Sequence, residues 1–168
     1  MNMRILYILA IFIPSFCFGQ SPEQLRDSII KQIKESLNQN PHINSWVACN
    51  KDSGYYVRDT IYFYNKLNYS SDPSHCCSFV EWDFESNSSF RDLEKLMCQE
   101  PPLGIARVNN LNRLKWKIDN NKLYLIILNR LTGTKERFQI LNYSEKRLWN
   151  MNQKAYVLKL LRIKTYRK

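Results

Sequence analysis

The stretch from Arg113 to Asn129 reads RLKWKIDNNKLYLIILN, and its reading decides the fold. Leu114, Trp116 and Ile118 alternate with Lys115, Lys117 and Asp119. A period of two puts the apolar groups on one face of a strand and the charges on the other. Asp119, Asn120 and Asn121 then make a turn, because Asn and Asp tolerate left-handed backbone. Leu123 to Leu128 is apolar on both faces. One face is expected to meet a β interior and the other the N-terminal helix. The pattern continues in KERFQILNY (135–143), KRLWNM (146–151) and AYVLKLLR (155–162), with Leu131, Thr132 and Gly133 as a break. Short apolar runs between short polar breaks describe an antiparallel β-meander.

Working outward, Ile43 to Lys51 reads as a first strand with Trp46 as a large anchor. Asp52, Ser53 and Gly54 make a turn. Tyr55 to Asn65 is dense in tyrosine and β-branched residues, the profile of a strand. Asp72 and Pro73 break the chain. In Cys76 to Glu85, Val80, Trp82 and Phe84 share one face, and Glu81, Asp83 and Glu85 the other. A turn is expected within Ser86–Ser89. Phe90 to Gln99 reads as a returning strand or a helical turn, ended by Pro101 and Pro102. Ile105 to Asn109 is a short strand before the meander. Ahead of all this lies one amphipathic helix, residues 21–40. Ser21 caps it, Pro22 suits its first position, and Gln24 completes a capping box. Leu25, Ile29, Ile33 and Leu37 form its apolar stripe, expected to sit on the rim or outside of the β domain.

The chain starts with Met-Asn-Met-Arg4, followed by an uncharged run from Ile5 to Phe18 and a small residue, Gly19. This fits a secretory signal peptide over residues 1–19. The run is shorter than the roughly 20 residues a membrane-spanning helix needs. The remaining 20–168 is one domain by length, with no further apolar run long enough to span. Export to the periplasm or the cell exterior follows. The 168-residue chain carries 25 Lys+Arg against 15 Asp+Glu, a net charge of +10. Loss of Arg4 leaves 24 against 15, or +9. Such a balance suits an acidic envelope surface or an acidic protein partner. Nucleic acid is not expected, since the chain leaves the cytoplasm and has no binding motif.

After the signal, Cys49, Cys76, Cys77 and Cys98 remain. Four cysteines in an oxidising compartment read as two disulfides. Adjacent Cys76 and Cys77 point to opposite faces of extended chain and do not pair with each other. One pairs with Cys98 and the other with Cys49. A one-residue slip in register decides which, with Cys77–Cys98 and Cys49–Cys76 preferred. The spacing of the four cysteines and His75 matches no common zinc finger, so no metal is expected.

Trp46 resembles the tryptophan of the lipocalin G-x-W start, with Asn44 standing where that motif has glycine. WKIDNNKLYL (116–125), FQIL (138–141) and LWNM (148–151) resemble the C-terminal strands of bacterial lipocalin-like domains of the Bacteroidetes type. The segment from Cys76 through EWDF (81–84) to Cys98 is similar to a cysteine-bracketed hairpin of such proteins. The resemblance covers 43–163. It implies an all-β, antiparallel up-and-down barrel of about eight strands with one N-terminal helix.

No phosphate loop, nucleophile elbow or metal-spaced histidine pair occurs, and His42 and His75 are isolated. Glu81, Asp83 and Glu85 look like a solvated strand face. The chain is therefore expected to be no enzyme and to take no cofactor. Large apolar residues on alternating faces, Trp46, Phe63, Trp82, Phe84, Trp116 and Phe138, are the candidate lining of a ligand cavity. For a chain of this size they are better suited to filling the barrel outright. Two functions are in view. One is a carrier of a small apolar or amphipathic ligand. The other is an interaction protein (inhibitor, immunity or envelope accessory factor) working through its basic surface and the tyrosines Tyr55, Tyr56, Tyr62, Tyr64 and Tyr69.

Overall fold

A computed structural model describes residues 20–39, 45–65, 76–96, 103–130, 132–147 and 154–163. Residues 1–19, expected as a signal peptide, and Cys98, His42, His75, Tyr69 and the LWNM stretch lie outside them. Helix α1 spans Pro22–Gln39. The capping box forms: the Ser21 backbone N–H donates to Gln24 Oε1 at 3.1 Å, and the Gln24 N–H to Ser21 Oγ at 3.3 Å. Strand β1 is Ser45–Cys49, and a 3-10 turn at Lys51–Ser53 leads into a single helical turn, α2, at Gly54–Val57. Then come β2 Thr60–Asn65, β3 Ser78–Ser86, β4 Ser89–Leu96, β5 Leu103–Asp119, β6 Lys122–Asn129, β7 Lys135–Arg147 and β8 Lys154–Ile163.

The eight strands close into an antiparallel barrel. From β3 to β8 each strand pairs with its successor. β1 sits between β3 and β2, and β2 closes on β8. Both β2 and β3 are antiparallel to β1, so they run the same way. Cys49, at the end of β1, is disulfide-bonded to Cys76, just ahead of β3. Cys77 is disulfide-bonded too. On the outer face, Val47, Phe79 and Cys76 form a small buried cluster around this crosslink.

Two strand boundaries differ from the sequence expectation. Tyr55 to Val57 is helical, because Asp52 (φ 55°) and Ser53 (φ 58°) turn the chain left-handed before Gly54. Arg162 then holds the turn by donating to the carbonyl oxygens of Tyr55 and Tyr56. Residues 105–109 and 114–119 belong to one long strand, β5, whose pairing with β4 shifts register between Arg91 and Leu93. The turns were legible: Asn120 (φ 49°) and Asn121 (φ 55°) join β5 to β6, and Gly133 (φ 66°) lies in the β6–β7 connection.

Inward positions fill the barrel. Trp82, Phe63, Phe90, Phe138 and Leu160 are essentially inaccessible. The Phe63 and Trp82 ring centroids are 4.1 Å apart, and those of Trp82 and Phe90 4.7 Å. Helix α1 closes the end formed by the β3–β4 and β5–β6 turns. Its Ile29 and Ile33 join the same cluster as Trp46, Phe84 and Leu123, with Trp116, Ile118, Tyr143 and Tyr156 packed against it. The helix thus meets the inward side of β6, not the outward face of Tyr124, Ile126 and Leu128 as the two-sided apolar run suggested. No helix among the described residues is long and apolar enough to cross a membrane.

Candidate functional site

The inward register of several strands ends in polar residues at the barrel end opposite α1. On β4, Asp92 follows Phe90. On β5, Asn112 precedes Leu114. On β6, Asn129 follows Ile127, and on β7 Glu136 precedes Phe138. These polar groups enclose a cavity of about 200 Å³ whose floor is Trp82, Phe90 and Ile127. Tyr55 and Tyr56 of α2 form one wall, and Thr132 and Thr134 of the β6–β7 connection the other.

Local chemistry shapes each wall. Asn129 organises the β6–β7 connection: its Oδ1 accepts from the Thr132 N–H at 3.0 Å, and its carbonyl from the Gly133 N–H at 3.0 Å. The Thr132 and Thr134 hydroxyls bond to each other at 2.7 Å. Asn112 is buried and donates from Nδ2 to Asp92 Oδ1 at 2.9 Å. Opposite, Asn50 braces α2 by accepting from the Tyr55 N–H at 3.1 Å, while its own amide donates to Glu94 at 2.8 Å. The Tyr55 ring packs edge-on against Phe63 at 5.9 Å. Burial pushes the Tyr55 hydroxyl well above the ordinary phenol range. The Glu136 carboxylate adds to this, against the Trp82 hydrogen bond and the Arg162 charge. Tyr55 is therefore a neutral, fixed wall.

Of the six aromatic residues read from the sequence as a cavity lining, Trp82 borders this cavity. Phe63 and Phe138 are buried beneath it in the packed interior, and Trp46 and Phe84 are buried toward the α1 end. Trp116 is half-buried at that end too, its indole N–H directed at the Asn87 carbonyl at 3.5 Å. The sequence reading did not single out Asp92, Asn112, Asn129 or Glu136. Their signal was present, as a polar residue closing an otherwise apolar period-two register. The carboxylates of β3 are engaged elsewhere. Glu81 pairs with Lys95 and Glu85 with Arg91. Among the described residues no group of His, Cys, Asp and Glu could hold a metal ion. Comparison with family models, with curated proteins and with solved structures finds no match to this chain.

Proposed function

We propose that this is an exported, lipocalin-like binding protein that holds one small amphipathic ligand in the α2 end of its barrel and performs no catalysis. One observation carries the reading: a cavity with an aromatic floor and a polar rim, at the barrel end that α1 leaves uncovered. Its volume of about 200 Å³ holds some six waters at about 30 Å³ each. It lies below the roughly 300–1,000 Å³ of drug-sized sites, so the ligand is smaller than a lipid. Aromatic residues already fill the space below. The Cys49–Cys76 disulfide supports an oxidising compartment.

Native mass spectrometry of protein purified from its source tests this. The expected result is a co-purifying small mass that is lost from a folded Ile127→Trp variant, whose larger side chain fills the cavity. Wild-type protein free of any added mass, together with no response to small-molecule titration, would overturn it.

A second reading rests on the outer face of β5, β6 and β7. There Tyr124, Ile126 and Leu128 are half-buried between the cations Lys115, Lys117 and Arg137, and the Arg137 guanidinium stacks on Tyr124 at 3.8 Å. Such a strip suits an acidic protein partner. The same spectra would then show a protein-sized added mass.

A further inference from the structure

We propose that the mouth cavity is built for a small organic cation, an amine or quaternary ammonium head group; this rests on the binding reading above. The chain carries 25 Lys+Arg against 15 Asp+Glu, yet its cavity inverts that balance. None of the eleven lining residues is Lys or Arg, and two of them, Asp92 and Glu136, are carboxylates. Neither carboxylate forms an ion pair with a described residue. Asp92 accepts a hydrogen bond from the neutral amide of Asn112. The Arg162 guanidinium lies against the wall, over the Tyr55 ring at 5.4 Å from its centroid, with its Nη groups donating to the carbonyl oxygens of Tyr55 and Tyr56.

Asp92 and Glu136 leave the lining negative despite the Arg162 guanidinium behind the wall, and a cation between them is drawn in by Coulomb attraction. The wall has the matching chemistry. Tyr56, 38% exposed, is the accessible aromatic ring of the lining. A cation over an aromatic face is attracted by the ring quadrupole. The rim supplies the remaining partners. The Thr132 and Thr134 hydroxyls and the Glu136 carboxylate accept hydrogen bonds from an ammonium group or meet a ligand hydroxyl. An anion would be repelled by the same two carboxylates. A neutral sugar could use the rim, but it would gain nothing from the negative lining.

The test is a titration of the full exported chain, followed by tryptophan fluorescence and calorimetry, with three probes. Choline is the cation, 3,3-dimethylbutan-1-ol its neutral isostere, and glucose a neutral polyol. Choline is expected to bind, with the isostere at least about tenfold weaker. Glu136→Gln should weaken choline by about tenfold. Asp27→Asn, the same charge change on the exposed Arg26 pair of α1, should leave it unchanged. Equal binding of choline and its isostere, tighter binding of glucose, or an unaltered choline affinity in folded Glu136→Gln protein would overturn the cation assignment and leave the binding reading standing. No binding of any probe to folded protein would also overturn it, while a co-purified mass decides the binding reading independently.

Discussion

Replacing Cys49 and Cys76 together by alanine, with the disulfide of Cys77 left in place, tests how much the crosslink between the end of β1 and the start of β3 stabilises the fold. The crosslink spans 27 residues of sequence. Closing a loop of that length removes about 12 cal/mol/K from the unfolded chain, or about 3.6 kcal/mol at 25 °C. For a domain of this size each kcal/mol moves the melting temperature by about 2–4 °C, so the double variant should melt about 7–14 °C lower. Cys76 is also buried against Val47 and Phe79, and loss of that contact adds to the drop. The assay is differential scanning calorimetry without reductant, paired with urea unfolding. The urea slope should rise, because the freed unfolded chain exposes more surface. A drop smaller than about 3 °C with an unchanged slope would refute the argument that this crosslink acts by restricting the unfolded chain.

Ile33→Ala, at a helix position only 2% exposed, should cost about 2–5 kcal/mol, read from the urea midpoint; a loss comparable to a surface substitution would mean α1 does not close the barrel. Asp83 has its carboxyl pushed up by burial and then by Glu81, against Lys95 and Arg91. A raised carboxyl favours the protonated folded form, so its stabilising contribution is present below the ordinary value of 3.8 and lost as pH rises through the folded value. Asp83→Asn should accordingly raise the melting temperature at neutral pH, and the gain should vanish near about pH 3; an equal gain at both would point to packing, not charge. Tyr55 is raised above its ordinary 10.0. Its contribution is present below that value and lost as pH climbs through the folded one, so Tyr55→Phe should flatten the fall in stability between about pH 9.5 and 11.5. Parallel wild-type and variant urea curves across that window would count against it.

Strands with one buried face were plain in the sequence, because period-two alternation is a direct imprint of a half-buried sheet. The 113–129 hairpin, with Leu114, Trp116 and Ile118 opposite Ile127, Leu125 and Leu123, is the best instance. Ser21 and Gln24 announced the start of α1, since capping is local chemistry. The exchange of β1 and β2 was not legible, because nothing in a strand's own pattern names its neighbour. Tyr55 to Val57 misled because tyrosine favours strands, whereas a distant residue, Arg162, fixes them as a helical turn. The candidate site was hidden for a related reason. The six large apolar residues of the sequence reading belong mostly to the packed interior, and of those six only Trp82 reaches the cavity. The polar residues that make the rim come from four strands and meet only on closure.

The binding mouth is tested most directly by two-dimensional nuclear magnetic resonance of labelled protein against a panel of small cations, sugars and neutral amphiphiles. A ligand should move the Trp82 indole signal and the Asn112 and Asn129 side-chain amides, while the indoles of Trp46 and Trp116 at the α1 end stay in place. Shifts centred on Trp46 and Trp116, or on the outer face of Tyr124 and Arg137, or no shifts with any probe, would contradict the account.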